Sequence, residues 1–195
     1  MPTGRRSSAR ATDARERLLV ATLRCAQRDG GSAVSLQAIA LEAGVSKALV
    51  LYHYHDKETL LATTIQWLSG RLVGRELLAL QKSTATSVLE EYWQWLDAEL
   101  HAGELRALLE LTQERGGRIR QAIATSAAQR QETAEQTVTR VFHLLELAPR
   151  LPAAMLATCE LAFRDGLVMW SAQRPDQNAR VAFDVFWLSL LGLAR

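Results

Sequence analysis

Proline is nearly missing from the first three quarters of this 195-residue sequence. Pro2 is followed by none until Pro149, and Pro152 and Pro175 complete the set of 4. With nothing to lock φ or remove a backbone donor, residues 3–148 are free to be helical. Cysteine is as scarce. The 2 cysteines, Cys25 and Cys159, argue against a disulfide scaffold and fit a reducing cytoplasm. Long apolar runs are absent. The longest, Val181 to Ala194, has 14 residues and contains Asp184, whereas a membrane span needs about 20. Residues 1–12 carry arginines with no apolar stretch behind them, so no secretory signal is legible. The expectation is a soluble, cytoplasmic protein with no membrane partner. A disordered chain is excluded by 48% hydrophobic and 23% charged residues, because disorder needs low hydrophobicity and a strong charge imbalance.

What is present favours helix. Leu, Ala, Arg, Glu and Gln dominate, all good helix formers, and β-branched residues never alternate over a strand-length window. The chain reads as all-α with about nine helices. The first spans residues 12–29 and stops at Gly30-Gly31. Short helices follow over 35–43 and 46–54, and a long one starts after Asp56 with the stripe Leu61, Ile65, Leu68, Leu72. Lys82-Ser83-Thr84 is a loop. Further helices fall at 87–101, 104–115, 118–147, 153–172 and 177–193. A division near residue 60 separates an N-terminal domain (1–60) from a C-terminal helical bundle (61–195). Charge divides the same way: residues 1–60 hold nine Lys/Arg against six Asp/Glu, a net +3, and the remainder fourteen against fifteen, a net −1. The basic arm of Arg5, Arg6, Arg10, Arg15 and Arg17 is a weak pointer to an anionic partner, and for a segment this short a solvated tail is the preferred reading.

The informative segment is Ser35 to Tyr54. Ser35 and Ser46 sit where N-caps belong, Gly44 sits where a tight turn needs positive φ, and Val45 plugs the corner. Ile39 and Ala40 face inward from the first short helix, and Val50 and Tyr54 (i, i+4) from the second. This is a helix-turn-helix pattern. It leaves Lys47, Ala48, Leu49, Tyr52 and His53 facing outward, on a helix of the kind that enters the major groove of DNA.

Residues 12–61 resemble the DNA-binding domain of the TetR family of bacterial transcriptional regulators. The matching words are Ile39-Ala40, Ala43-Gly44-Val45-Ser46, Leu51-Tyr52-His53-Tyr54 and Lys57-Glu58-x-Leu60. The resemblance implies a three-helix N-terminal domain joined to a helical ligand-binding and dimerisation domain. It implies a homodimer on a palindromic double-stranded operator, acting as a repressor that a small, largely apolar effector releases. By position it makes Lys47, Ala48 and Leu49 base-facing, with Gln37 a second base reader. Ser35, Tyr52, His53 and Lys57 become phosphate contacts, with Ser46 opening the recognition helix. Three positions depart from the family pattern: Leu51 where a Tyr is frequent, Tyr54 where a Phe is, and His55 in place of Gly, Pro or Ser. Leu51 removes one phosphate donor, which keeps a second reading open: a helical ligand- or partner-binding module that has lost operator recognition.

No catalytic constellation is legible. There is no G-x-S-x-G, P-loop or dinucleotide fingerprint, so no enzyme and no cofactor are expected. His53 and His55 point about 200° apart on a helix, and His101 and His143 lack ligand spacing, so no metal is expected either. In the C-terminal part, Trp67, Trp93, Phe142, Met155, Cys159 and Phe163 are candidates to line a ligand cavity, with plain core the competing reading. Gly70 and Gly74 allow a close helix approach or room for a ligand. The last two helices are apolar nearly all round and call for cover. Leu167, Trp170, Phe183, Phe186, Trp187 and Leu190 are therefore the expected dimer interface.

Overall fold

The computed structural model describes residues 4–194, with side chains from residue 13 onward. Among these residues nine α-helices form: α1 (Gly4–Asp29), α2 (Leu36–Glu42), α3 (Lys47–Tyr54), α4 (Lys57–Leu80), α5 (Val88–Ala102), α6 (Glu104–Leu111), α7 (Gly117–Leu144), α8 (Ala153–Gln173) and α9 (Ala179–Leu191), with a 3-10 turn at Gly31–Ala33. Helix α1 begins at Gly4 instead of Thr12, so the expected arm is largely helical. The side chains of Arg5, Arg6 and Arg10 lie outside the described residues. Helix α7 stops at Leu144, short of the expected 147, because Glu146 takes a φ of 56° and the Leu147 N–H turns back to donate to the Phe142 carbonyl at 2.9 Å.

The chain forms two compact units. The first is the segment up to Leu68 together with Ala107–Thr125; the second is Ser69–Arg106 with Ser126–Arg195. In the first, Leu18, Ile39, Ala40, Val50, Tyr54 and Leu60 are buried together with Leu108 and Ile119. Two carboxylates tie the returning segment 107–125 to the rest. Glu110 accepts the Gly31 N–H at 3.1 Å, and Glu58 accepts the Arg118 N–H at 2.5 Å, closing an otherwise unsatisfied donor at the start of α7. The contact at Gly31 is tight: a Cβ there would lie 2.8 Å from the Glu110 carbonyl carbon and oxygen.

The second unit has an aromatic core of Tyr92, Trp95, Phe142, Phe183 and Trp187, joined by Leu80, Leu96, Leu156, Leu167 and Leu190. Tyr92 stacks on Trp95 with ring centroids 5.5 Å apart and meets Trp187 edge-on at 5.6 Å. Gly70 and Gly74 mediate no close packing: a Cβ at either would meet nothing within 4 Å. No helix among the described residues is long and apolar enough to cross a membrane.

Gly31→Ala should destabilise the protein by about 1–3 kcal/mol, because the neighbour it overpacks is backbone and cannot rotate away. Thermal unfolding checks this, and an unchanged midpoint would show that the Glu110 contact is not needed.

Candidate nucleic-acid interface

Each end and each inner side chain of α3 is held by the first unit. Ser35 Oγ accepts the Ala38 N–H and Ser46 Oγ accepts the Leu49 N–H, both at 3.2 Å, so α2 and α3 each start on a side-chain cap. Between them Gly44 has φ +66°, and the Val45 N–H donates to the Ala40 carbonyl at 2.9 Å. Inward, Val50 and Tyr54 are buried. The Tyr54 hydroxyl donates to the Arg15 carbonyl at 3.0 Å, and the Arg15 guanidinium lies 5.3 Å from the ring centroid. Burial pushes the Tyr54 hydroxyl above its ordinary pKa against the opposing pull of Arg15. At the far end His55 adopts φ +60°, ψ −47° while its N–H closes α3 on the Leu51 carbonyl at 2.8 Å.

The outer face is uneven. Lys47 and Ala48 are exposed and Tyr52 is 75% exposed, as are Ser35, Gln37 and Ser46 on the same side of the pattern. Leu49, at 37%, and half-buried His53 turn partly inward. Together with Ala14, Arg17, Leu18, Ala43 and Val45 they line a small hollow against α1. The Tyr52 and His53 rings meet edge-on at 5.2 Å. Lys57, the first residue of α4, is not a free cation: its Nζ lies 3.5 Å from Glu114 Oε2. Asp56 caps α4 by accepting the Thr59 N–H at 2.6 Å, and that backbone bond holds its carboxyl below the ordinary range. Arg118 donates to Thr59 Oγ1 at 2.6 Å and lies 3.9 Å from Asp56. Sequence reading missed these partners, since Glu114 and Arg118 lie about sixty residues from the helices they meet.

In the second unit the expected cavity residues do not share one place. Phe142 is core; Trp93 is half-buried against Phe183 at 5.2 Å; Met155 and Cys159 are exposed on α8. Phe163 stacks on Phe186 at 4.1 Å and lines an open groove with Trp170, Val181 and Val185. Trp67 belongs to the first unit and is half-buried. The expected interface residues divide as well. Leu167, Phe183, Trp187 and Leu190 are buried within their own chain, because one face of α9 packs inward, and only half-buried Trp170 and Phe186 remain accessible. The exposed large apolar residues of α8 and α9 are Met155, Val181, Val185 and Leu188.

The structure also shows a buried ionic cluster that the sequence did not announce. Arg164 donates to Glu76 at 2.8 Å; Thr137 donates to the other Glu76 oxygen at 2.8 Å; the Tyr92 hydroxyl donates to Glu160. All of these side chains are buried. Burial raises the pKa of both Glu160 and Tyr92, in Glu160 against the opposing pull of Arg164.

His55→Gly should stabilise the protein by about 1 kcal/mol, since glycine takes positive φ without strain and loses part of that gain to its freer unfolded chain. A higher urea midpoint checks it; a lower one would give the imidazole a stabilising contact of its own.

Residues 18–64 match the family model described as bacterial regulatory proteins, tetR family. Among solved structures, a TetR transcription regulator from Haloarcula marismortui superposes with a TM-score of 0.74 at 18% identity, over 94% of this chain and 100% of that one. A transcriptional regulator from Rhodococcus sp. Rha1 does so with 0.74 at 20% identity over 92% and 97%. FadR from Bacillus subtilis, in complex with stearoyl-CoA, gives 0.70 at 15% identity over 90% and 97%. No curated protein matches the chain. At these identities the structural likenesses establish the fold of the chain, and the helix-turn-helix segment within residues 18–64 is the part that carries the tetR-family match.

Proposed function

We propose that the protein is a ligand-responsive repressor that binds a palindromic double-stranded operator as a homodimer and leaves it when a small, largely apolar effector enters the helical second unit. The observation that carries this reading is the free outer face of a helix fixed at every other point: Lys47, Ala48 and Tyr52 project from α3, and both its N-terminus and its inner side are occupied. Lys47 donates to guanine O6 and N7, and Ala48 and Leu49 meet thymine methyl groups. Gln37 reads a flanking base. Ser35, Ser46, Tyr52 and His53 fix the register on phosphates, and Lys57 joins them on leaving Glu114. With Leu51 in place of a tyrosine, the Tyr52 hydroxyl takes the larger share of phosphate binding. The effector part of the reading is supported by FadR, which has the same fold and is seen with stearoyl-CoA.

For the dimer we revise the interface to the exposed strip of Met155, Cys159, Phe163, Val181, Val185 and Leu188. A partner's matching strip covers this apolar surface by two-fold symmetry, which sets two copies of α3 one DNA turn or a multiple apart. Effector binding favours a dimer geometry in which that spacing no longer fits.

Selection from random duplexes should return a palindrome. Fluorescence anisotropy should then show affinity falling steeply with salt and about tenfold or more weaker binding in Lys47→Ala/Tyr52→Ala. A selection that returns no shared sequence would favour a module that keeps the fold without operator recognition.

Val185→Glu/Leu188→Glu should convert the dimer to a 21.6 kDa monomer by light scattering and abolish operator binding, because a charge on that strip cannot be buried unpaired. A dimer of unchanged affinity would place the interface elsewhere.

A further inference from the structure

The second unit holds two carboxylates and one guanidinium away from water: Glu76, Glu160 and Arg164 are each no more than 2% exposed. Glu76 is fully used, by Arg164 on one oxygen and by Thr137 on the other. Glu160 is not. Its Oε1 accepts from Tyr92 and lies 3.6 Å from Arg164 Nε, but neither Glu160 Oε2 nor Arg164 Nε has a hydrogen-bond partner. Beside them the Trp95 indole N–H, 93% buried, is also unpartnered. Its ring stacks on Tyr92 and lies 5.4 Å from the Arg164 guanidinium.

As a carboxylate, Glu160 is a surplus buried charge; as an acid, it is a donor without an acceptor. Both states are costly in an apolar interior. A cationic N–H supplied from outside settles the choice in favour of the carboxylate: it offsets the surplus charge and donates to an oxygen that nothing in the chain uses. The surroundings are aromatic: Tyr92 holds Glu160 directly and Trp95 stacks on Tyr92, and rings of this kind favour both an apolar body and positive charge. Thr137, whose hydroxyl donates to Glu76, also lines a cleft of about 290 Å³ with Leu77, Leu80, Gln81, Gln136 and Arg140.

We propose that this cluster is the effector site and that its ligand is a lipophilic amine, with the ammonium group on Glu160 and the apolar body against the Tyr92–Trp95 wall. The inference rests on the ligand-responsive reading above and adds the chemical class.

Three probes with one body and different heads test it: 4-phenylbutylamine, 4-phenylbutan-1-ol and 4-phenylbutyrate. Binding to the full-length protein near neutral pH is followed by tryptophan emission and by the thermal midpoint. The amine should bind about ten- to a hundredfold more tightly than the alcohol, the gain expected of a charged hydrogen bond, and the butyrate most weakly. Glu160→Gln should bring the amine down to the level of the alcohol. The ranking on the unmodified protein decides the matter even if that variant fails to fold. Butyrate binding as tightly as the amine, or no binding by any probe, overturns the proposal, and the second result makes the cluster a purely structural ion network. Release of the selected operator is read separately. Release by butyrate and not by the amine removes the amine and keeps the regulator. Amine binding by a protein that selects no operator keeps the site and removes the regulator.

Discussion

An eight-residue helix cannot hold itself. Nucleating one costs more than two turns return, so α3 exists because Val50 and Tyr54 are driven into the first unit and because its ends are tied down. Burial of those two side chains is worth about 2 kcal/mol each, and the Ser46 cap adds about 1 kcal/mol. The bond from Tyr54 to the Arg15 carbonyl ties the last turn to α1, across 39 residues of sequence. All of this lies on one side and at the ends, which is what a reading surface requires: a side chain recruited to hold the helix cannot also meet a base edge. The division runs within single turns. Leu49 and His53, beside the hollow against α1, take part in both faces, whereas Lys47, Ala48 and Tyr52 belong to the outer one alone.

The second unit follows the opposite logic. It buries Glu76, Glu160 and Arg164, although burying such ions stabilises little or nothing compared with apolar packing. A cluster of this kind does fix side-chain geometry. Arg164 touches Glu76 and Tyr92 and sits beside Glu160, so three helices, α4, α5 and α8, are registered against one guanidinium. A change of charge state there therefore acts on all three at once.

The helix-turn-helix was legible because its requirements are local. Caps, a positive-φ glycine and an i, i+4 apolar pair all fall within twenty residues, and Ser35, Gly44, Ser46, Val50 and Tyr54 each occupy the place their chemistry predicts. The ionic cluster was illegible for the converse reason. Glu160 and Arg164 are four apart and look like an ordinary exposed pair, and nothing local reveals that Tyr92, 68 residues away, covers them. Lys57 is a similar case: the sequence pattern suggests a phosphate contact there, but its partner in the structure, Glu114, comes from a segment more than fifty residues further on.

Helix α9 shows a different limit. An apolar pattern around the whole circumference names no face, so periodicity could not separate core from interface. Packing does. Phe183, Trp187 and Leu190 form one i, i+4, i+7 row and are buried; Val181, Val185 and Leu188 form a second such row, two residues earlier, and are exposed. Two residues is about 200° of helix, so the rows lie on opposite sides. The inner row is already spent on Tyr92 and its neighbours. The outer row gains nothing from this chain and would cost solubility if left in water. Phe186 stands between them, held flat on Phe163, which extends the apolar surface from α9 across to α8. A strip with that breadth, and with its own chain's core complete beneath it, is one that a second copy can cover without disturbing the fold that presents it.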